Sequence, residues 1–126
     1  MKFLKFFIEP WLVGKAHSRI RRKKYKEAIE FLKKVIALIN DGNPGTELHF
    51  FDIGYCHLKL NEFDEALSWF SKSYDKYKYG KANLNTRAYY DLLSSYSYVL
   101  KKHELIEQAD KIDREANEVL GHLQKK

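Results

Sequence analysis

The sequence predicts an all-α protein of about six helices, arranged as antiparallel helix pairs. Apolar residues recur at spacings of three and four along most of the 126-residue chain, which is the stripe of a half-buried helix. No alternating apolar and polar run of useful length appears, so strands are not expected. Turn-forming residues separate the stripes, and the length is that of one domain.

Each predicted helix carries its own apolar stripe. The second helix, for example, presents Ala28, Leu32, Val35 and Ile39 at spacings of four, three and four. The stripes place the helices near residues 10–22, 25–39, 47–60, 62–78, 85–101 and 104–122. Residues 1–9 are expected to form an apolar N-terminal arm or a further helical turn.

Polar and glycine-rich segments mark the ends of these helices. The turn at residues 40–45 separates the second helix from the third, with Thr46 expected to cap the third helix. Gly80 is expected to end the fourth helix in a left-handed conformation, and Asn83 or Asn85 to cap the fifth.

An internal repeat joins these helices into copies of one unit. Residues 25–32 match residues 63–70 position for position, as aromatic, polar, Glu, Ala, aliphatic, polar, aromatic and large apolar. In the helix before the second match, Phe50, Ile53, Gly54 and His57 continue the pattern. These residues resemble the tetratricopeptide repeat family, which stacks antiparallel helix pairs of about 34 residues.

The resemblance implies one domain over residues 1–126, a short right-handed solenoid of three copies. The copies lie near residues 10–39, 47–78 and 85–122. In the third copy Tyr89, Leu92 and Tyr96 occupy slots of the pattern, and Leu93 replaces the glycine. Its second helix lacks the alanine and aromatic signature, whereas Gly54 and Ala66 of the central copy are expected at a close helix crossing.

The resemblance also implies a concave groove, lined by the first helix of each copy, that holds a partner. The groove positions are Val13, His17, Ile20 and Arg21, then Leu48, Phe51, Tyr55, Leu58 and Lys59, then Arg87, Tyr90, Ser94, Ser97 and Tyr98. This describes an aromatic groove rimmed by cations, and Tyr and Arg are frequent interface anchors. Alternatively, these aromatics pack on the N-terminal arm or a terminal helix. A chaperone C-terminus is not expected as the ligand, because Val13 and His17 replace the Lys and Asn of the family's carboxylate clamp.

The net charge of +6 is concentrated in residues 1–34, which hold 11 basic and 3 acidic side chains. Its densest part, here called the basic patch, consists of Arg19, Arg21, Arg22, Lys23, Lys24 and Lys26. Such a block favours an acidic partner, above all an acidic protein surface, although a solvated turn is the alternative. Nucleic acid is disfavoured, because no recognition-helix motif is visible and the rest of the chain is nearly neutral.

No pattern of catalytic or metal-binding residues is found. None of the five histidines has the spacing of a helical zinc pair. Cys56 and His57 are adjacent on a predicted helix, where neighbours do not face each other. We therefore expect no catalytic residue, no metal site and no cofactor.

The predicted function is a non-enzymatic module that binds a protein or peptide in the groove. One alternative is a small bacterial immunity protein that neutralises a toxin domain. The other is a peripheral membrane-surface protein that uses Phe3, Leu4, Phe6, Phe7, Ile8 and Trp11 with nearby cations. The single cysteine and the lack of a signal-peptide cleavage site predict a cytoplasmic location.

Overall fold

A computed structural model describes residues 2–39, 45–80 and 82–125, with side chains from Ile8 onward. These residues form six helices and no strand, which confirms the predicted all-α fold. The helices are α1 (Lys2–Arg21), α2 (Tyr25–Leu38), α3 (Thr46–Lys59), α4 (Phe63–Tyr79), α5 (Arg87–Lys102) and α6 (Ile106–Gln124).

The helices pair in chain order. The most extensive contacts join α1 to α2, α3 to α4 and α5 to α6, and smaller contacts join α2 to α3 and α4 to α5. In addition α3 contacts α5, although a whole helix separates them in the sequence. The first helices of adjacent pairs therefore lie side by side, as a stacked solenoid requires.

The turn inside each pair has the same backbone geometry in all three copies. One residue is left-handed in each turn, namely Lys23, Asn61 and Glu104, with φ near 60°. The residue after each one closes the turn through its N–H, as Lys24 does on the carbonyl of Arg19 at 2.8 Å. Glu62 and Leu105 make the equivalent bonds to His57 and Leu100, each at 2.9 Å. This repeated helix ending, of the Schellman type, fixes the register of the three copies.

Counted from these turns, the small residues of the three copies coincide. The first helices carry Ala16, Gly54 and Ser97 at the same position before the turn, and all three are buried. The second helices carry Ala28, Ala66 and Ala109 at the same position after it, each fully buried. The third copy was thus predicted one helical turn too early, because Ser97 and not Leu93 replaces the glycine. Ala109 supplies the small residue that α6 was expected to lack.

Gly54 of α3 packs directly against a side chain of α4. A Cβ atom on Gly54 would be 2.6 Å from Cδ1 of Phe70, and the Phe70 side chain is fully buried. Gly54 thus packs tightly against α4 through the Phe70 ring, while its predicted crossing with Ala66 stays a prediction.

Two helix starts differ from their predictions. Gly45, with φ 91°, precedes α3, so Thr46 is its buried first residue rather than its cap. Thr86 caps α5, and the N–H of Tyr89 donates to its hydroxyl at 3.2 Å. The cap position of α3 is one residue before Thr46. The cap position of α5 is one residue after Asn85 and three after Asn83.

The end of α4 and the start of α1 differ as well. Gly80 has φ −88°, so the predicted left-handed conformation is wrong. The helix α1 begins at Lys2 and runs through Pro10, so the backbone of the expected N-terminal arm is helical. Residues 1, 40–44 and 81, on which parts of the turn predictions fall, lie outside the described residues. No described helix has both the length and the apolar content that crossing a bilayer would need.

The core consists of two clusters. The first joins the first two pairs through Ala16, Ala28, Ile29, Leu32, Ile53 and Cys56. The second joins the last two pairs and includes Ala66, Phe70, Tyr77, Tyr89, Leu92, Leu100, Ala109 and Ile112. The α3–α4 pair contributes to both, which holds the three copies in one body.

Candidate functional site

An open cavity of about 540 Å³ lies on the side of the solenoid formed by the first helices. It is lined by His17, Ile20 and Arg21 of α1, by Phe51, Asp52 and Tyr55 of α3, and by Asp91, Ser94 and Ser95 of α5. Each copy contributes three residues, and the second helices contribute none of these. The cavity therefore lies on the layer of the first helices.

A second depression, of about 440 Å³, continues this cavity toward the α3–α4 turn. It is lined by Leu58, Lys59, Asn61, Phe63, Ser94, Ser95 and Tyr98. Ser94 and Ser95 line both depressions, so the two adjoin. We call them together the groove.

The structure brings most of the predicted groove residues together. Those that line the groove are His17, Ile20, Arg21, Phe51, Tyr55, Leu58, Lys59, Ser94 and Tyr98. Val13, Leu48, Arg87 and Tyr90 do not line either depression. Ser97 is 2% exposed and belongs to the core.

The errors in the third copy follow from its register. Counted from the turns, Asp91 corresponds to Leu48, Ser94 to Phe51 and Tyr98 to Tyr55. Tyr90 therefore packs against the core, and Arg87 lies with its guanidinium 5.2 Å from the Tyr90 ring centroid. Counting back from the polar turn at residues 101–103 would have given the correct register.

A ring followed by a cation four residues later recurs in each first helix. The ammonium of Lys59 is 5.5 Å from the centroid of the Tyr55 ring, and that of Lys102 is 5.4 Å from the Tyr98 ring. His17 and Arg21 hold the same two positions in α1. Residues four apart share one face of a helix, so each first helix presents one such pair, although Lys102 itself does not line either depression.

The groove also holds two carboxylates that the sequence analysis did not assign to it. Asp52 is 3.3 Å from Nε2 of His17, and burial raises the pKa of Asp52 although His17 opposes the shift. Asp91 accepts a hydrogen bond from Nε of Arg87 at 3.2 Å. The groove is therefore of mixed charge, with cations near its rings and carboxylates between them.

Phe51 belongs to both the groove and the core. Its ring centroid is 5.7 Å from that of Phe70 and 6.3 Å from that of Tyr55. The Tyr55 ring in turn meets the edge of Tyr25 at 6.4 Å. The expectation that the groove aromatics are independent of the core is thus wrong for Phe51, and for Tyr90 as well.

The basic patch lies at the α1–α2 turn beside the groove. Its residues Arg21, Arg22, Lys23, Lys24 and Lys26 are exposed. Arg19 does not belong to the exposed set, because its guanidinium lies 5.6 Å from the Phe31 ring and its Nε is 3.6 Å from Glu27. The position of Arg19 on α1 directs its side chain toward α2, whereas the neighbouring cations point to solvent.

Two further residues with titratable side chains, Cys56 and His57, are buried in α3. Cys56 is fully buried, and burial raises the pKa of its thiol to about 12. His57 is buried, with Nδ1 at 2.9 Å from a Glu62 carboxylate oxygen. Over the parts of the chain that the structure describes, no three His, Cys, Asp or Glu side chains are grouped to hold a metal ion.

Comparison with known proteins identifies the repeat. The tetratricopeptide repeat profile matches residues 8–78, which is more than half of the chain. The chain therefore belongs to the tetratricopeptide repeat family. No curated protein matches it by sequence.

Two solved structures share the fold. They are the nearly identical TPR-like repeats of a putative kinesin light chain from Podosopora anserina and a single-substitution variant of them. The TM-scores are 0.67 and 0.68 at 10% sequence identity, over 94% of this chain. The chain spans 57% of the length of those structures. At this identity the likeness concerns the fold alone.

Proposed function

We propose that the chain is a non-enzymatic module that binds an acidic segment of a protein partner in the groove. Tetratricopeptide repeats are in general protein–protein interaction modules. The observation that supports this site is the cavity lined by all three first helices. Each first helix also carries a ring followed by a cation four residues later. A surface repeated in three copies suits an extended segment that crosses them in turn.

The residue types indicate the chemistry of the ligand. Tyr55 and Tyr98 offer flat apolar area, and Arg21, Lys59 and Lys102 can pair with carboxylates through charge-assisted hydrogen bonds. First helices packed about 8–10 Å apart match three residues of an extended chain at about 3.3 Å each. We therefore expect acidic residues at every third position of the segment.

The two carboxylates give the bound segment a direction. Asp52 and Asp91 already face His17 and Arg87, and their remaining acceptor positions suit backbone N–H groups or a basic side chain of the partner. A segment placed in reverse would set its carboxylates against these two residues, and such like-charge contacts oppose wrong arrangements. The groove is therefore expected to select one orientation of the partner.

Site-specific photocrosslinking tests the proposal. A crosslinking amino acid replaces Ser94, which lines both depressions, and in a matched control variant it replaces Ser68, an exposed residue of α4. We expect covalent capture of a partner from native lysate at position 94 and not at position 68, with mass spectrometry identifying the crosslinked peptide. Equal capture at both positions would contradict the groove.

The acidic character of the partner has its own test. The exposed basic patch should accelerate association with an acidic surface, and salt should screen this effect. The double variant R21E/R22E should slow association more than it speeds dissociation, as measured by surface plasmon resonance. Association rates that do not change between low and high salt would show that the patch is only a solvated turn.

The identity of the captured partner separates the two kinds of interaction protein. An enzymatic toxin domain whose activity this chain blocks would make it an inhibitor, whereas a partner that stays active would make it an adaptor. The cytoplasmic location stays a prediction, which fractionation of native cells tests.

A further inference from the structure

A second surface lies on α1 and shares none of the residues that line the groove. It is a shallow depression of about 500 Å³, lined by Pro10, Trp11, Gly14, Lys15, Ser18, Arg19 and Arg22. All of these residues come from α1 and the position directly after it. We call this surface, together with Ile8, the outer α1 face.

The outer α1 face is open and apolar at one end. Trp11 is 58% exposed and Ile8 is 37% exposed. A Cβ atom added to Gly14 would meet no atom within 4 Å, so no described part of the chain covers the middle of the face. By contrast, the Trp69 ring packs at 5.8 Å from Phe50 and at 4.4 Å from the ammonium of Lys72.

The other end of the face is cationic. Lys15 lies with its ammonium 5.4 Å from the Trp11 ring, and Arg22 is exposed beyond it. Arg19 is directed to Glu27, so Lys15 and Arg22 supply the positive charge. No acidic residue lines the depression, and Glu9 acts on His49 of α3, away from this side.

We infer that the outer α1 face binds the surface of an anionic lipid bilayer. Tryptophan is enriched at the boundary between acyl chains and water. Helices with a Trp-containing apolar part and a Lys and Arg part lie in this boundary and gain from anionic headgroups. The face has both parts in sequence along one helix, with Ile8 and Trp11 before Lys15 and Arg22.

A second copy of the chain fits the same face less well. If two copies paired antiparallel, the cationic end of each outer α1 face would cover the apolar end of the other. If they paired parallel, the cations of the two copies would face each other and repel. An anionic bilayer complements both ends at once. The groove residues His17 and Arg21 are not among the residues that line this depression, so the two surfaces use different side chains of α1.

Trp11 provides a direct readout. The chain has two tryptophans, so the background variant W69F leaves Trp11 as the only one. We expect its fluorescence to shift to the blue, and the protein to co-sediment, with phosphatidylcholine vesicles that contain phosphatidylserine. Pure phosphatidylcholine vesicles should give neither effect, and high salt should weaken binding to the mixed vesicles.

A matched pair of glycine substitutions tests the face itself. G14E adds a carboxylate in the middle of the outer α1 face, and G121E adds one to α6, where a Cβ atom also meets nothing within 4 Å. G14E should weaken binding to the mixed vesicles about fivefold, the loss expected for one charge at an anionic surface. G121E should bind like the parent chain. Circular dichroism checks that both variants keep their helices.

Several outcomes would overturn the inference. These are the absence of vesicle binding, equal binding to pure phosphatidylcholine, or equal effects of G14E and G121E. A blue shift of Trp11 without vesicles, together with a dimer mass by light scattering, would assign the face to a second copy. The variant S94W places a large ring in the groove. If S94W binds vesicles as the parent does, membrane binding does not depend on the groove, and the two proposals can fail independently.

Discussion

Gly54 and the Phe70 ring determine how closely the central helix pair packs. The space that a Cβ atom would need at Gly54 is occupied by Cδ1 and Cε1 of Phe70, at 2.6 and 2.7 Å. Phe70 is fully buried, and its ring also packs against the ring of Phe51. The Phe70 ring therefore has little room to move. A methyl group at this position must displace either the ring or the helix.

The variant G54A should therefore be destabilised by about 1–3 kcal/mol through overpacking. In G121A the same change meets no atom within 4 Å, so it should stabilise the chain by about 1 kcal/mol through helix propensity alone. Urea unfolding followed by circular dichroism measures both. If G54A is as stable as G121A, α3 and α4 do not cross as closely as described.

Glu115 is a carboxylate that connects three helices. Tyr74 donates to Oε1 at 2.8 Å, Lys78 donates to Oε2 at 3.2 Å, and Tyr89 also donates to Oε2. Burial opposes ionisation of Glu115, but the three donors together hold its pKa below the ordinary value of 4.5. The carboxylate thus ties α6 to α4 and α5 as an anion.

The variant E115Q should lower the free energy of unfolding by about 2–3 kcal/mol, because the donors lose a charged acceptor. A lowered pKa in the folded state stabilises the fold above the unfolded value and is lost as the pH falls through the folded value. E115Q should therefore be less sensitive than the parent to acid below pH 4.5. The exposed substitution E118Q in the same helix is the control, with an effect within about 0.5 kcal/mol. Identical acid unfolding of parent and E115Q would contradict the assigned role.

At the scale of elements, the three turns within the pairs repeat a conformation that their sequences do not share. Lys23, Asn61 and Glu104 are all left-handed, which costs a residue with a Cβ atom about 1–2 kcal/mol, less for Asn. Glycine adopts this conformation without the penalty, although it also loosens the unfolded chain. The turns are therefore retained by the packing of the pairs on either side.

The variants K23G and E104G should each gain about 0.5–1 kcal/mol in stability, the difference between these two effects. N61G should gain less, since asparagine already tolerates the left-handed region. Thermal unfolding of the three variants gives the order. A loss of stability in both K23G and E104G would show that the side chains, rather than the backbone, hold the turns.

The helices were predictable because burial of one face imposes its period on the sequence. The stripes of α2 and α4 are continuous, and both helices begin within one residue of their predicted starts. The register of α5 was not predictable from its stripe, because Leu92, Leu93 and Tyr96 fit the pattern equally well one turn apart. The cap of α5 was not predictable either, because Thr86, Asn83 and Asn85 all have side chains that can accept the capping hydrogen bond.

At the scale of the whole molecule, the groove residues on α1 and α3 were largely predictable from the sequence. Both follow the repeat register, so His17, Arg21, Tyr55 and Lys59 lie where the family pattern places them. Asp52 was not foreseen because an acidic residue on a helix usually faces water. Its burial beside His17 arises only when α1 and α3 lie side by side.

The distribution of charge also has meaning only in the assembled solenoid. The cations of α1 divide between two surfaces, since Arg21 lines the groove and Lys15 lines the outer α1 face. One helix thus serves two surfaces of different chemistry. In the two proposals made above, the groove binds an acidic segment of a protein and the outer α1 face binds an anionic bilayer.

The central claim, that the concave groove binds the partner, is tested most directly by filling it. The affinity of the crosslinked partner segment is measured by isothermal titration calorimetry for the parent, S94W and S68W. Ser94 lines both depressions, and Ser68 is exposed on α4, so both variants add the same ring at an exposed serine. We predict that S94W weakens binding about 30-fold, as loss of a central anchor does, while S68W binds like the parent. Equal affinity of S94W and the parent, with both folded, would contradict the claim.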